Sequence, residues 1–564
     1  MSDIRGEFVI AVINRAYALI DYSIYNDIHK EYEFKKQTIL VDDSLTENEK
    51  SEAIKILTNY YDMDKLTTNE GTKRICENCN QECLATLFCE HCVRNYLKAN
   101  FSNWTSGNDN IDNLIQECQM KAIGPNLIPE WIPYNNFQDI EYLTEGGCSE
   151  IYTAEYINGK YDDWDSTEQQ LKRFGIQQVV LKRLENVENA NQSWFEEAKS
   201  HLTISNKCSE VVQCFGLTLD PSNGSYMLVM NKMNIDLRKY LQQNHNRLTW
   251  KERIQIAANI ILALSRIHEE DAIHRDLHSG NILFNKIDNS FFISDLGFCG
   301  PADKSLKSIY GNLPYIAPEV IIGKEQTFKS DIYSIAMLMW EISSGQPPFI
   351  NYEHNYDLAM NIVNGIRPKI VTGTPLEYKN LMKQCWDADS SKRPDIDTLL
   401  NEIDRLINLY YQTKSNELLA QLEEDNNLEI NNISSLENYT SSTSKLHQFE
   451  NLPEPRNATE EELEAFYSKS YNFCIPDNID DFGKSVNQRD NDTLINKDNS
   501  KVLPEVFNEL RINSKFDVQN NYYREEIMQQ QRKNIVIDEN EVHNNPNLHS
   551  EEQDELEIPD DSKD

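Results

Sequence analysis

Apolar positions near the start of the chain recur at helical spacing. Phe8, Ile10, Val12, Ala16 and Leu19 form a broad stripe that predicts a helix over residues 4–30. A second helix is predicted in "LTENEKSEAIKILTNYY", where Thr46 and Glu49 stand in capping-box spacing ahead of Ala53, Ile54, Leu57 and Tyr61. Residues 1–70 therefore read as a helical segment. "NFSNWTSGNDNIDNLIQECQ" reads as a glycine-containing turn and a short helix near 109–121. "GPNLIPEWIPYNN", with prolines at 125, 129 and 133, reads as an extended connector. From about 138 to 408, short apolar runs and amphipathic stretches follow in compact order and predict mixed strands and helices. Within them "NILF" and "FFIS" read as paired strands. From about 412 onward Asn, Ser, Asp, Glu and Gln dominate, which predicts a disordered tail over 409–564. One island in it, "LPEPRNATEEELEAFYSKSYNF" (452–473), mixes prolines, aromatics and a short helix from Thr459. It is either a docking peptide or a sticky piece of linker.

Length and charge narrow the classes. At 564 residues the chain exceeds one ordinary core, so two to four domains or segments are expected. Net charge is −38, and residues 401–564 hold 36 acids against 15 bases, which is −21 of it. Such acidity argues against a general nucleic-acid binder, which needs basic surface to displace counterions. It suits a solvated tail. No stretch reaches the ~18 consecutive apolar residues of a membrane helix. The first twenty residues lack a basic run and a small-residue cleavage site, so no signal peptide is expected.

Twelve cysteines are present, five of them within residues 76–92. This is not a secreted disulfide framework; clustered cysteines in a reducing compartment more often hold metal. The expected location is the cytoplasm, or the nucleus as well. In "CENCNQECLATLFCEHC" two C-x-x-C knuckles, Cys76/Cys79 and Cys89/Cys92, can offer four thiolates tetrahedrally to structural Zn²⁺. Cys83 and His91 are spare ligands. The alternative is a set of reduced, partly buried cysteines or a redox pair. Residues 71–137 thus read as a zinc-knuckle-like module with its linker, serving folding or partner binding. Cys148 reads as an inert side chain, with an oxidation-sensitive thiol as the alternative.

The chemistry concentrates in "DAIHRDLHSGNILFNKIDNSFFISDLG" (271–297). Phosphoryl transfer needs a carboxylate to take a hydroxyl proton, and oxygen ligands for the Mg²⁺ that bridges the phosphates. Asp276 can supply the first, and Asn281 and Asp295 the second, because Mg²⁺ prefers hard oxygen donors. Upstream, "VVLK" puts Lys182 on an apolar strand, from which its ammonium can point at phosphates. "WFEEAKSHL" offers Glu196 and Glu197 to hold it, and the spacing to Lys199 favours Glu197. Downstream, Glu319 of "APE" is expected to bury an ion pair with Arg393 of "SKRP", and Asp331 of "SDIYS" to brace the loop around Asp276. "LTEGGCSEIY" (143–152) fits a strand–loop–strand over phosphates. It keeps Gly146 and Gly147, and Ile151 follows, but Thr144 and Ser149 stand where outer glycines are usual. The second glycine approaches phosphate most closely, so the loop is weakened rather than lost.

Across about residues 138–408 these motifs, in this order, resemble a eukaryotic protein kinase. The resemblance implies an α+β, bilobal fold with a small β-rich N-lobe and a larger helical C-lobe. It implies ATP under the loop at 143–151, Met230 as gatekeeper and Asn231–Met233 as hinge. It also implies that Arg275 pairs with a phosphate on the activation segment 298–316, where Ser305, Ser308 and Tyr310 are the candidate acceptors. A narrower similarity, carried by "FSNWTSGNDNIDNLIQECQ", "EWIPYNNF", "HRDLHSGNIL" and "LPEPRNATEEELEAF", is to the expanded tyrosine-kinase-like kinases of arbuscular mycorrhizal fungi. Two positions depart from serine/threonine kinases: His278 replaces a lysine and Asn312 a threonine. The arginine and alanine residues of a tyrosine-kinase loop are absent as well. The expectation is a Ser/Thr-directed protein kinase using ATP and Mg²⁺. Its protein substrate is unspecified, and partners would be recruited through the cysteine module and tail. The alternatives are a silent scaffold on a kinase fold and a tyrosine-directed enzyme.

Overall fold

The computed structural model describes residues 4–20, 24–25, 27–145, 149–184, 194–287, 289–301, 309–417 and 444–469. The chain divides into two units: Met1–Tyr61 with Val486–Asp564, and Asp62–Ser485.

In the first unit, the helix expected over 4–30 is two helices, α1 (Gly6–Leu19) and α2 (Ile28–Leu40), before α3 (Glu47–Thr68) begins. The reason is Asp27. Its carboxylate accepts from the amides of His29 and Lys30 and starts a new helix. The buried stripe of α1 is also narrower than expected. Val9, Val12, Ile13 and Ala16 face Ile39, Leu45, Ala53 and Leu57, whereas Phe8 is exposed and carries the Arg5 guanidinium 4.5 Å above its ring. The expected cap of α3 is present: Glu49 accepts from the Thr46 amide at 2.9 Å, and its own amide donates to Thr46 Oγ1 at 3.4 Å.

The second unit opens with a hairpin, β1 (Arg74–Ile75) and β2 (Glu82–Cys83), followed by α4 (Glu90–Asn100) and α5 (Asp109–Lys121). The connector then contributes β3 (Glu130–Trp131). After it come β4 (Phe137–Glu145), β5 (Glu150–Tyr156), the hairpin β6 (Tyr161–Asp165) and β7 (Gln170–Arg173), and β8 (Gln177–Arg183). Helix α6 (Trp194–Ile204), β9 (Cys214–Asp220) and β10 (Ser225–Asn231) complete the N-lobe. Its sheet has six strands in the order β3-β9-β10-β8-β5-β4. Strand β3 lies parallel to β9, so close that a Cβ on Gly216 (φ +146°) would sit 1.8 Å from the Glu130 carbonyl oxygen. Ile111, Ile115 and Cys118 of α5 pack with Ala198 and Leu202 of α6 on one face of the sheet. The cysteine module packs on the inserted β6–β7 hairpin through Trp164 and Leu171.

The C-lobe starts at β11 (Ile235–Asp236), α7 (Leu237–Asn244) and α8 (Trp250–Glu269). Next are β12 (Ala272–Ile273), the pair β13 (Ile282–Asn285) and β14 (Ser290–Ile293), β15 (Gly300–Pro301) and β16 (Ile309–Gly311). Helices α9 (Pro318–Ile321), α10 (Phe328–Ser344), α11 (Tyr356–Val363), α12 (Leu376–Cys385) and α13 (Ile396–Glu417) follow. One apolar core joins them, with Ile261, Leu264, Ile335, Leu338 and Ile362 fully or nearly fully buried. The β-rich and helical lobes are those expected. Helix α8 begins in a capping box in which Thr249 and Glu252 exchange backbone hydrogen bonds. Thr249→Ala is therefore expected to cost about 1 kcal/mol, read as a lower urea midpoint at unchanged slope.

Part of the segment expected to be a disordered tail is placed on this lobe. Strand β17 (Lys445–His447) pairs with β16, and helix α14 (Glu460–Lys469) follows. Phe449, Leu452, Leu463 and Phe466 pack on the C-lobe core, and this burial offsets the entropy of ordering the segment. Among the described residues no helix is long and apolar enough to cross a membrane.

Candidate active site

Side chains alternate across strand β8. Val179 and Leu181 face one core, and Val180 and Lys182 face the side covered by α6. Ile151 on β5 lies directly across from Lys182. The buried Lys182 Nζ is 2.8 Å from Glu197 Oε1 and 2.5 Å from Asp295 Oδ1. Burial alone would lower the Lys182 ammonium; the Asp295 and Glu197 carboxylates outweigh it and hold it above its ordinary value. For Asp295 burial likewise opposes ionisation, and Lys182 wins, holding the carboxyl low. Burial dominates at Glu197, whose carboxyl is raised. Gly297 passes so close that a Cβ there would lie 3.0 Å from Asp295 Oδ1 and 3.4 Å from the Glu197 carboxyl carbon. His201, pushed down to about 3 chiefly by burial, is neutral and accepts the Leu296 amide on Nε2 at 3.2 Å.

The loop between β12 and β13 carries Asp276. Asp331, buried at the start of α10, accepts from the backbone amides of His274 (2.8 Å) and Arg275 (3.0 Å) and from His268 Nε2 (3.0 Å). Arg275 (φ 70°) and Asp295 (φ 55°) both sit in the left-handed region, which only a well-braced loop sustains in non-glycine residues. Arg275 Nη1 donates to the Phe298 carbonyl at 2.9 Å, tying the loop to the segment after Gly297. Asn281 Nδ2 donates to the Asp276 carbonyl at 2.9 Å, so its amide oxygen is the atom that could hold a cation. Burial, reinforced by Asp295, pushes the Asp276 carboxyl up to about 7, against a hydrogen bond from Ser444. Farther out, Arg393 meets Glu319 in two parallel bonds of 2.7 Å.

Other expected residues are distributed as follows. Met230 is buried at the end of β10, and Met233 packs against the same cluster. Thr144 is exposed on β4, and Ser149 is buried just before β5. Gly146, Gly147, Cys148, Ser305 and Ser308 lie outside the described residues. Tyr310 is buried, with its ring stacked 3.9 Å from that of Phe298, so it is not an exposed acceptor.

The cysteine cluster forms a compact set. Cys76 and Cys92 sulfurs are 3.7 Å apart, Cys79 and Cys89 sulfurs 3.6 Å, and all four lie within 4.8 Å of one another. A tetrahedral ion with Zn–S bonds of about 2.3 Å requires sulfur separations of about 3.8 Å, so the donor set fits. Asn78 Nδ2 donates to Cys92 Sγ at 3.4 Å. The spare ligands separate: His91 Nε2 is engaged with the Glu82 carbonyl at 2.9 Å, and Cys83 clusters with Cys89 and Glu90.

The sequence did not single out His201 or His268, nor a residue nearer Asp276. Ser444 Oγ lies 2.8 Å from Asp276 Oδ1 and 3.0 Å from His278 Nε2. Its only sequence signal is a hydroxyl ahead of the short apolar and aromatic run "KLHQF" inside a polar region.

Residues 138–403 match the family model described as protein tyrosine and serine/threonine kinase. The chain is 29% identical over 303 residues to the probable serine/threonine-protein kinase roco5 of Dictyostelium discoideum, covering 50% of this chain and 10% of that one. It is 31% identical over 215 residues to the dual serine/threonine and tyrosine protein kinase of Pimephales promelas, covering 36% and 23%. Over 168 residues it is 33% identical to the putative serine/threonine-protein kinase/receptor R826 of Acanthamoeba polyphaga mimivirus, covering 29% and 10%. The chain thus spans between about a tenth and a quarter of these relatives.

Proposed function

We propose that this chain, whose residues 138–403 form a protein kinase domain, transfers the γ-phosphoryl group of ATP to serine or threonine hydroxyls of proteins. The observation that carries the reading is the Lys182–Glu197–Asp295 charge cluster facing a loop that Asp331 holds at two amides. Asp295 and the Asn281 amide oxygen would hold Mg²⁺, which shields charge on the phosphates. Lys182 orients the phosphates and is itself fixed by Glu197. Asp276 accepts the proton of the attacking hydroxyl. The named relatives support serine/threonine as acceptor, with dual specificity as the second reading. The narrower likeness to tyrosine-kinase-like kinases of arbuscular mycorrhizal fungi rests on the motifs quoted above. The rival class is a silent scaffold, favoured only by Thr144 and Ser149 in the phosphate loop. The test is incubation of the full chain with Mg-ATP and dephosphorylated casein, with sites mapped by mass spectrometry. Phosphate on serine or threonine supports the enzyme, and folded protein that transfers none supports the scaffold.

The four cysteines would hold a structural zinc ion, closing the module that packs on the β6–β7 hairpin. Reduced thiols of this kind fit the cytoplasm or nucleus. After dialysis, metal analysis is expected to give about one zinc per chain. Chelation is expected to raise amide exchange across residues 74–92 by about tenfold or more. Metal-free protein with unchanged exchange would remove zinc from this account.

A further inference from the structure

We propose that Ser444 is the acceptor of an intramolecular phosphoryl transfer, presented to Asp276 by a substrate-like strand that the domain holds against its own residues 309–311. This rests on the kinase reading of the same site.

Three observations carry it. The first is how the hydroxyl is held. His278 Nδ1 accepts the Gly280 amide at 3.1 Å, so the ring hydrogen is on Nε2. Nε2–H therefore donates to Ser444 Oγ at 3.0 Å. The serine is left to donate its own hydrogen to Asp276 Oδ1 at 2.8 Å, the group assigned to receive it. His278, where serine/threonine kinases carry lysine, thus positions the acceptor oxygen. The second is presentation. β17 runs antiparallel to β16, with Lys445 opposite Gly311, Leu446 opposite Tyr310 and His447 opposite Ile309. His447 Nε2 donates to the Gly311 carbonyl at 3.0 Å. Gly311 has φ +141°, and a Cβ there would lie 3.2 Å from Asp276 Oδ1. The third is anchorage. Downstream, the Arg456 amide donates to the Val363 carbonyl at 3.1 Å, and Asn457 Oδ1 accepts the Ala388 amide at 2.9 Å. Gly365 lets the segment's backbone pass where any Cβ would meet Ala458 N at 2.2 Å. Phe466 stacks on Tyr352 at 5.8 Å. The strand is also free of acids from Ser444 to Phe449, unlike most of the C-terminal region, so it brings no negative charge beside Asp276 and Asp295.

In the step itself the Ser444 Oγ–H bond breaks and its proton passes to Asp276. A bond forms from Oγ to the γ-phosphorus of ATP, the bond to the β–γ bridging oxygen breaks, and ADP departs. Tethering makes the encounter intramolecular, so its rate per molecule is independent of protein concentration.

The test uses the full chain, phosphatase-treated, with Mg-ATP and casein in the same tube. Dilution covers about a hundred-fold range, across which an intramolecular rate stays constant. The comparison variant is Phe449→Ala with Phe466→Ala, which releases the anchors. Expected are phosphate on Ser444 at a first-order rate unchanged by dilution and, in the variant, about a tenfold slower Ser444 reaction. Amide exchange at residues 309–311 and 445–447, measured without nucleotide, is expected to be slow in the wild type and fast in the variant. Casein phosphorylated without Ser444, a Ser444 rate that rises with concentration, or equal exchange in both proteins overturns the inference while the kinase reading stands. Phosphate on neither protein overturns the kinase reading, and this inference with it.

Discussion

Asp276→Asn is expected to slow phosphoryl transfer by about two to four orders of magnitude, the usual worth of a positioned general base. The substitution preserves shape. Asparagine retains an oxygen that can accept the Ser444 hydroxyl now 2.8 Å from Oδ1, and the backbone on either side stays pinned by Asp331 and Asn281. What disappears is an oxygen able to take a proton. The loss should fall on kcat, with KM for ATP little changed, because Lys182, Glu197 and Asp295 are untouched. Stability should hold or rise, since a buried carboxylate whose ionised form burial disfavours is replaced by a neutral amide. Steady-state kinetics beside a thermal melt check both halves. A rate within about tenfold of wild type would remove Asp276 as the base.

The second large effect is structural. Arg393 is fully buried; besides its paired bonds to Glu319 it donates to the carbonyls of Asp387 and Lys329 at 2.8 Å each. Arg393→Leu leaves Glu319 without its ion-pair partner and takes one donor from each of two carbonyls. A loss of about 3–5 kcal/mol is expected, seen as an earlier urea transition of the C-lobe. Arg393→Leu with Glu319→Leu should recover part of the loss, because the unpaired carboxylate goes, but not all, because the Asp387 and Lys329 carbonyls still lack the guanidinium. A single variant as stable as wild type would show that the cluster is dispensable.

What could be seen in advance followed the chemistry. Lys182, Glu197, Asp276, Asn281, Asp295 and Asp331, which the structure gathers around one loop, could be singled out because the proposed chemistry asks for one side-chain type at each, at offsets a fixed backbone imposes. The paired strands β13 and β14 were legible from their apolar runs. The break between α1 and α2 was hidden because Asp27 looks like one more polar position until its capping bonds are seen. Strand β3 has two residues, too few for any periodicity, and exists only because β9 lies beside it. Ser444 was invisible for the same reason in stronger form. Its partners Asp276 and His278 are 168 and 166 positions away, and its surroundings in sequence are polar.

The place of β3 and α5 has a practical consequence. The family match begins at residue 138, yet the sheet and the back of α6 are finished by residues well before it. A fragment cut at 138 would turn β9 into a bare edge, with Gly216 at its centre offering unpaired backbone groups to any neighbouring chain. It would also uncover the apolar patch now sealed by Ile111, Leu114 and Ile115. Such a fragment should aggregate where the full chain stays dispersed. The segment that matches the family is therefore shorter than the segment needed to cover its own sheet and helix.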